Sequence, residues 1–102
     1  MSYNTPEGKV KKKVVTVLKK HGVWYFFPAN NGFGKAGIPD LIAIVRGQFL
    51  GIEVKADKTK KPTMLQVKCG QEIQNAGGWW MVVYDEPTIA LMEQIIKEKL
   101  YR

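Results

Sequence analysis

Residues 37–55 of the chain read GIPDLIAIVRGQFLGIEVK. Two apolar runs in this stretch are separated by Arg46 and Gly47, which suit a tight hairpin turn. If these two residues form the turn, the two strands pair backwards one step at a time, and Asp40 stands directly opposite Glu53. Facing residues on neighbouring antiparallel strands have Cβ atoms about 4.5–5.5 Å apart. The hairpin is therefore predicted to bring two carboxylates together.

A lysine and a backbone carbonyl accompany these carboxylates. Lys55 lies two residues beyond Glu53, so strand alternation places it on the same face, whereas Val54 points away and keeps its carbonyl beside the acids. Two like charges about 4 Å apart repel by about 4 kcal/mol at an effective dielectric of about 20. Such a pair persists when it shares a proton or binds a cation. Oxygen ligands suit Mg²⁺ or Mn²⁺, and a neighbouring ammonium can stabilise charge on a phosphate, so the pattern indicates phosphodiester cleavage.

A purely structural interpretation of the same residues is also open. Asp40 could be a turn residue that follows Pro39, and Glu53 could form an ion pair with Lys55 on a solvated edge strand. The strongly apolar residues around them argue against an exposed edge.

The spacing of these residues resembles a known nuclease family. Residues 39–40 read PD and, after twelve further residues, residues 53–55 read EVK, which is the PD-(D/E)xK signature. The longer strings GIPDL and GxFLxIEVK, with the later Gln66, resemble the small VRR-NUC branch (virus-type replication-repair nucleases). The resemblance extends from about Thr5 to about Tyr84.

The resemblance implies roles for individual residues. Asp40, Glu53 and the Val54 carbonyl would hold Mg²⁺ or Mn²⁺, and Lys55 would stabilise the attacking hydroxide or the charged transition state. Gln66 would orient the attacking water or Lys55. It also fits a capping box with Thr63, so a structural role for it is open.

Glu7 has two interpretations as well. As an acid in the first turn of a helix it is favoured by the helix dipole. The resemblance implies in addition that it contacts the metal through water.

The predicted fold is α/β, with a restriction-endonuclease-like core in which a mixed sheet of about four strands is flanked by helices. All 102 residues are expected to form one domain. Both faces of the hairpin are apolar, so we expect helices on both sides of the sheet. Besides the hairpin, the predicted elements are a helix from Pro6 to just before Gly22, a strand over 23–27, a helix from Thr63 to about Asn75, a strand over 79–84 and a helix from Thr88 to about Leu100.

The net charge of +7 and the pI near 9.6 favour a polyanionic partner, either nucleic acid or an acidic membrane surface. The lysines on the first helix are expected to face mostly outward. Residues 29–37 read as a glycine-rich loop that could approach a DNA backbone. Lysines that could contact DNA phosphates, or could simply be solvated, are Lys9, Lys12, Lys35, Lys58, Lys60 and Lys61.

The resemblance implies an endodeoxyribonuclease that acts as a homodimer on four-way (Holliday) junctions or other branched DNA. Two alternatives remain open: a basic nucleic-acid-binding module without catalysis, and a restriction or RNase-type nuclease of the same fold. The single cysteine, the lack of a long apolar run and the lack of a signal peptide's apolar segment lead us to expect an intracellular protein of a bacterial or phage-infected cell, with no membrane partner.

Overall fold

The computed structural model of the protein describes residues 3–29 and 34–101. The elements in chain order are α1 (Pro6–Lys20), β1 (Trp24–Phe26), β2 (Leu41–Val45), β3 (Gln48–Val54), α2 (Met64–Asn75), β4 (Trp79–Val83) and α3 (Glu86–Leu100). The four strands of this part of the chain form one mixed sheet in the order β1-β2-β3-β4. The first three strands pair antiparallel, and β4 pairs parallel to β3, as the intervening helix predicts. The predicted α/β fold is therefore confirmed.

The β2–β3 hairpin has the register that its sequence predicts. Val45 pairs with Gln48 across the turn, and the ladder continues to the last pair, Leu41 with Ile52. Arg46 has φ 52° and Gly47 has φ 81°, which is the left-handed pair of conformations that a type I′ hairpin turn requires. This turn determines which residues of β2 and β3 face each other along the whole hairpin.

Local capping residues set where the helices begin. Thr5 caps α1 by accepting a hydrogen bond from the Gly8 amide, with proline in the first turn as predicted. The α3 helix starts two residues earlier than predicted, at Glu86. Asp85 accepts a hydrogen bond from the Thr88 amide, and a proline is tolerated within the first helical turn.

The hydrophobic core lies between the sheet and helices α1 and α3. Its members are buried apolar side chains from these helices and from one face of the sheet: Val10, Val14, Val15, Leu18, Val23, Leu41, Ala43, Val45, Leu50, Ile52, Val54, Val83, Ile89, Met92 and Ile96. Burial on this scale is the main favourable term in folding.

Helix α2 covers the opposite face of the sheet only in part. It packs against β4, and the ring of Trp80 lies directly against Gly70 of the helix. Trp24, Ile44 and Phe49, from three neighbouring strands, remain exposed on the same face. Helices therefore lie on both sides of the sheet as predicted, but α2 packs at the β4 side and leaves the part of this face formed by β1 and β2 uncovered.

The glycine-rich loop between β1 and β2 is described only at its ends. Residues 30–33 of it lie outside the described residues, so the prediction that its glycines approach DNA stays untested there. At the described end, Gly37 has φ 77°, and a Cβ atom built on it would lie 2.2 Å from the Leu65 carbonyl oxygen. The loop therefore packs backbone against backbone on the start of α2, which a larger residue would prevent.

None of the helices within residues 3–29 and 34–101 is long and apolar enough to cross a membrane.

Candidate active site

Two carboxyl groups meet where the hairpin ladder ends. Asp40 immediately precedes β2, and Glu53 is the next residue after the last ladder pair on β3, so the register places them opposite each other. Glu53 is only 1% exposed. Strand β3 lies between β2 and β4 in the interior of the sheet. The alternative in which Glu53 belongs to a solvated edge strand is therefore wrong.

The surroundings of Glu53 favour its protonated form. Burial, the largest cause, together with hydrogen-bonding reach to Asp40 and the negative charge of Asp40, raises the pKa of Glu53 from 4.5 to about 9. The charge of Glu7 adds to this rise, and the ammonium of Lys55 opposes it. Without a cation, the pair therefore shares one proton at neutral pH.

The Asp40 carboxylate is fixed by the backbone of the opposite strand. Its Oδ2 atom accepts a hydrogen bond of 2.8 Å from the Val54 amide. In an extended strand the N–H and C=O of one residue point to the same edge. The Val54 carbonyl is thus directed toward the side of the strand on which Asp40 lies, as the sequence predicts.

Gln66 joins the helix cap to the candidate site. Its Nε2 donates to Glu53 Oε1 at 3.0 Å, while its Oε1 accepts from Lys55 Nζ at 3.0 Å. The same Oε1 accepts from the Thr63 amide at 2.8 Å, and the Thr63 hydroxyl accepts from the Gln66 amide, which completes a capping box. One side chain thus makes the contacts that both interpretations require, because Gln66 completes the helix cap and also touches Lys55 and Glu53.

Helix α1 contributes a lysine that sequence reasoning missed. Lys11 was expected to face outward, but its side chain is only 19% exposed and lies between two acids. Its Nζ is 3.3 Å from Glu7 Oε2 and 3.7 Å from Asp40 Oδ1. A signal was present in the sequence, because residues four apart on a helix share a face and Glu7 was already a candidate.

The remaining predicted site residues lie around this cluster. Glu7 sits at its rim, paired with Lys11, and acts on Glu53 through its charge. Lys35 is 58% exposed and pairs with Glu72 of α2 at 3.1 Å. The other predicted DNA-binding lysines are exposed on α1 or on the loop between β3 and α2 and do not enter the cluster: Lys9, Lys12, Lys58, Lys60 and Lys61.

The donor set fits a hard divalent cation. The buried Oε2 atom of Glu53 accepts no hydrogen bond among the described residues, so in the fully ionised pair it is an orphaned buried oxygen, which is costly. A cation shared with Asp40 would satisfy it. Within residues 3–29 and 34–101, no group of three or more His, Cys, Asp or Glu side chains is placed to hold a metal. Two carboxylates are enough for Mg²⁺, because this ion commonly uses one or two carboxylates and fills its remaining positions with water and phosphate oxygens.

No family model matches the chain. No curated protein matches it either. A solved structure described as "VRR_NUC domain" is similar to the chain, with a TM-score of 0.78 and 26% sequence identity over 88% of this chain and 96% of that one. The resemblance drawn from residues 39–40, 53–55 and Gln66 is thereby confirmed, and the chain has the restriction-endonuclease-like fold of a VRR-NUC nuclease-type domain.

Proposed function

We propose that the protein is a metal-dependent endodeoxyribonuclease that hydrolyses DNA phosphodiesters. The observation that carries this proposal is the pair of Asp40 and buried Glu53, in which Glu53 Oε2 accepts no hydrogen bond from the described part of the chain while Gln66 holds Lys55 beside the pair. A pair that is costly without a cation and has an ammonium next to it suits an enzyme that acts on phosphate. The similarity to a VRR-NUC domain supports the same class of activity.

Asp40, Glu53 and the Val54 carbonyl would hold Mg²⁺ or Mn²⁺. When bound, such an ion neutralises charge on a phosphate oxygen and makes a water molecule more acidic. Lys55 supplies a positive charge for the phosphate as its negative charge grows in the transition state. Gln66 keeps that ammonium in place through a 3.0 Å hydrogen bond, so the charge needs little rearrangement during the reaction. Glu7 would act at longer range, through water.

Branched DNA and a homodimer complete the proposal. The net charge of +7 supports binding to the phosphate backbone, and the exposed lysines border the site. The exposed apolar side chains of Trp24, Ile44 and Phe49 form a patch on the sheet that supports association with a second copy. Two active sites related by a two-fold axis could cut opposite strands of a four-way junction.

A substrate panel tests this function. Wild-type protein is incubated with four-way junction, linear duplex, single-stranded DNA and RNA at equal concentration, with Mg²⁺, Mn²⁺ or EDTA. We expect junction cleavage that EDTA abolishes, and a dimer by light scattering. Cleavage of RNA or of linear duplex alone would favour the RNase or restriction-type alternative, and binding without any cleavage would favour a non-catalytic module.

The Lys55→Met variant shows whether the ammonium acts on the reaction. We expect it to bind junction DNA about as well as wild type but to cleave it on the order of 100-fold more slowly, because one preorganised charge at the reacting phosphate is lost. Lys97→Met, which removes an exposed charge from α3, is the matched control. Equal cleavage by the two variants would contradict the role given to Lys55.

Substitutions at Gln66 and Thr63 separate the cap from the site. Thr63→Ala removes only the helix cap, so we expect a loss of about 1 kcal/mol in the free energy of unfolding and nearly normal cleavage. Gln66→Ala also removes the bridge between Lys55 and Glu53, and we expect cleavage to fall by about 10–100-fold. Urea unfolding and single-turnover cleavage measure the two effects. If both variants cleave equally, Gln66 serves the helix alone.

A further inference from the structure

A cavity of about 640 Å³ opens beside the candidate active site. Its lining includes Asp40 and Gln66 from the site, Pro39 and two lysines, Lys11 and Lys35. The cavity therefore connects Asp40 of the carboxylate pair to a wall that carries two lysines. An anion that enters it reaches Asp40 and a lysine together.

The two lysines of this wall are held differently. Lys35 is mostly exposed and pairs with Glu72, so it is a solvated charge at the rim. Lys11 is mostly buried and projects from α1 between the buried residues Val10 and Val14. Its position is therefore set by the core of the protein.

The present partners of Lys11 leave it available to an anion. The 3.7 Å separation from Asp40 exceeds the usual length of a hydrogen bond, and Glu7 is a half-exposed partner within the same helix. Pairs of this kind contribute about 0.3–0.5 kcal/mol. A phosphate offers several oxygens and a full negative charge, and charge-assisted hydrogen bonds to it are stronger.

Lys11 and Lys55 occupy different ends of the carboxylate pair. Lys55 is held by Gln66, which bonds to Glu53, whereas Lys11 lies next to Asp40. Charges at both ends could engage two successive phosphates of one strand, or one phosphate from two directions. The proposed function already places Lys55 at the reacting phosphate. A phosphate at the Asp40 end of the pair has no protein contact assigned to it so far.

We propose that the cavity is a phosphate-binding subsite for the nucleic-acid backbone, and that Lys11 is the residue that binds the phosphate there. This inference rests on the proposed function in one respect only, namely that the protein binds DNA. It adds a contact that positions the strand across the carboxylate pair. Lys11 is thus a positioning residue for the cleavage reaction, and its contribution can be measured without any cleavage.

The first test is the salt dependence of binding to a synthetic four-way junction DNA with Ca²⁺ in place of Mg²⁺. We expect Lys11→Met to reduce the slope of log affinity against log salt by about one and to weaken binding by about 5–10-fold at low salt. Lys11→Arg should restore most of the affinity. Lys19→Met removes the same charge from the far, exposed end of α1 and should change the slope much less.

The second test removes charge from the DNA instead. Single methylphosphonates, which are uncharged, replace the phosphates near the branch one at a time. At one position the replacement should weaken wild-type binding by about 5–10-fold and should leave the already weaker Lys11→Met binding unchanged. This non-additivity is the signature of a direct contact.

The outcomes separate the subsite from a structural role. If Lys11 only neutralises Glu7 and Asp40, Lys11→Met will lower the melting temperature, but its binding and its methylphosphonate profile will match those of Lys19→Met, which overturns the proposal. Should Lys11→Met fail to fold, the same salt and methylphosphonate measurements on Lys11→Gln decide whether Lys11 contacts a phosphate. If wild type binds but never cleaves, the proposed nuclease activity fails while the slopes still decide the role of Lys11.

Discussion

Replacing Glu53 with glutamine is expected to stabilise the metal-free protein and, at the same time, to abolish cleavage. The glutamine Oε1 can still accept from Gln66, and its amide can donate to Asp40, which the ionised Glu53 cannot do. The amide N–H of the glutamine thus takes the place of the shared proton, which stabilises the pair. The proposed cation site loses one carboxylate, which prevents cleavage.

The stabilisation should depend on pH in a defined direction. The pKa of Glu53 rises from 4.5 to about 9 on folding, chiefly because of burial, so the folded protein keeps a proton that the unfolded chain releases. The wild-type contribution is complete below about pH 4.5 and is lost as pH rises toward about 9. Each pKa unit corresponds to about 1.4 kcal/mol, so the 3.5 units between pH 4.5 and pH 8 set an upper limit of about 5 kcal/mol on the gain in the free energy of unfolding of Glu53→Gln at pH 8, and we expect little gain at pH 4.

Urea unfolding with EDTA at pH 4, 6 and 8 measures this effect. Glu98→Gln is a matched control, because it makes the same chemical change at an exposed position of α3 and should leave the pH dependence intact. A Glu53→Gln variant that is less stable than wild type at pH 8 would show that the carboxyl pair does not share a proton in the folded protein.

Metal binding should release a proton from the same pair. A cation bound by Asp40 and Glu53 requires both carboxylates to be ionised, but the raised pKa of Glu53 keeps one proton bound at neutral pH. Below about pH 9 the apparent affinity for Mg²⁺ or Mn²⁺ should therefore rise by about tenfold per pH unit. Between pH 6 and 8 this amounts to about 100-fold.

Titration calorimetry in buffers with different ionisation enthalpies counts the released proton. At pH 7 we expect the observed heat to change with the buffer by close to one proton per ion bound. Ca²⁺ also uses oxygen ligands, so its binding to the same pair should release a proton as well. A buffer-independent heat with measurable binding would mean that the ion does not displace the proton of Glu53, and the proposed ligand set would then be wrong.

Several features of the site follow from sequence-local rules. The turn at Arg46 and Gly47 determines the register, and the register determines that Asp40 faces Glu53. The VRR-NUC resemblance, which also draws on these residues, is confirmed at the level of the fold by the similar solved structure. Thr5 and Thr63 mark helix starts by the chemistry of their own side chains.

Other features depend on contacts between segments far apart in the sequence. Lys11 faces the site because packing of α1 on the core turns that side of the helix toward Asp40, and a run of lysines alone gives no such direction. The half-covered face of the sheet depends on where α2 ends relative to Ile44 and Phe49. The start of α3 at Glu86, in contrast, is set locally by the capping aspartate Asp85 three residues before Thr88, and the prediction missed it because that cap was overlooked.

Turn conformation and strand alternation act over a few neighbouring residues, so the order of the residues is enough to predict the hairpin, its register and the two facing acids. The burial of Glu53, and with it the raised pKa of this residue, depends on how separate elements pack, as do the effects of Glu7 and Lys55 on that pKa. The same packing brings Gln66 from the helix cap to the acids. Local geometry therefore brings the two carboxyl groups together, and long-range packing raises the pKa of one of them.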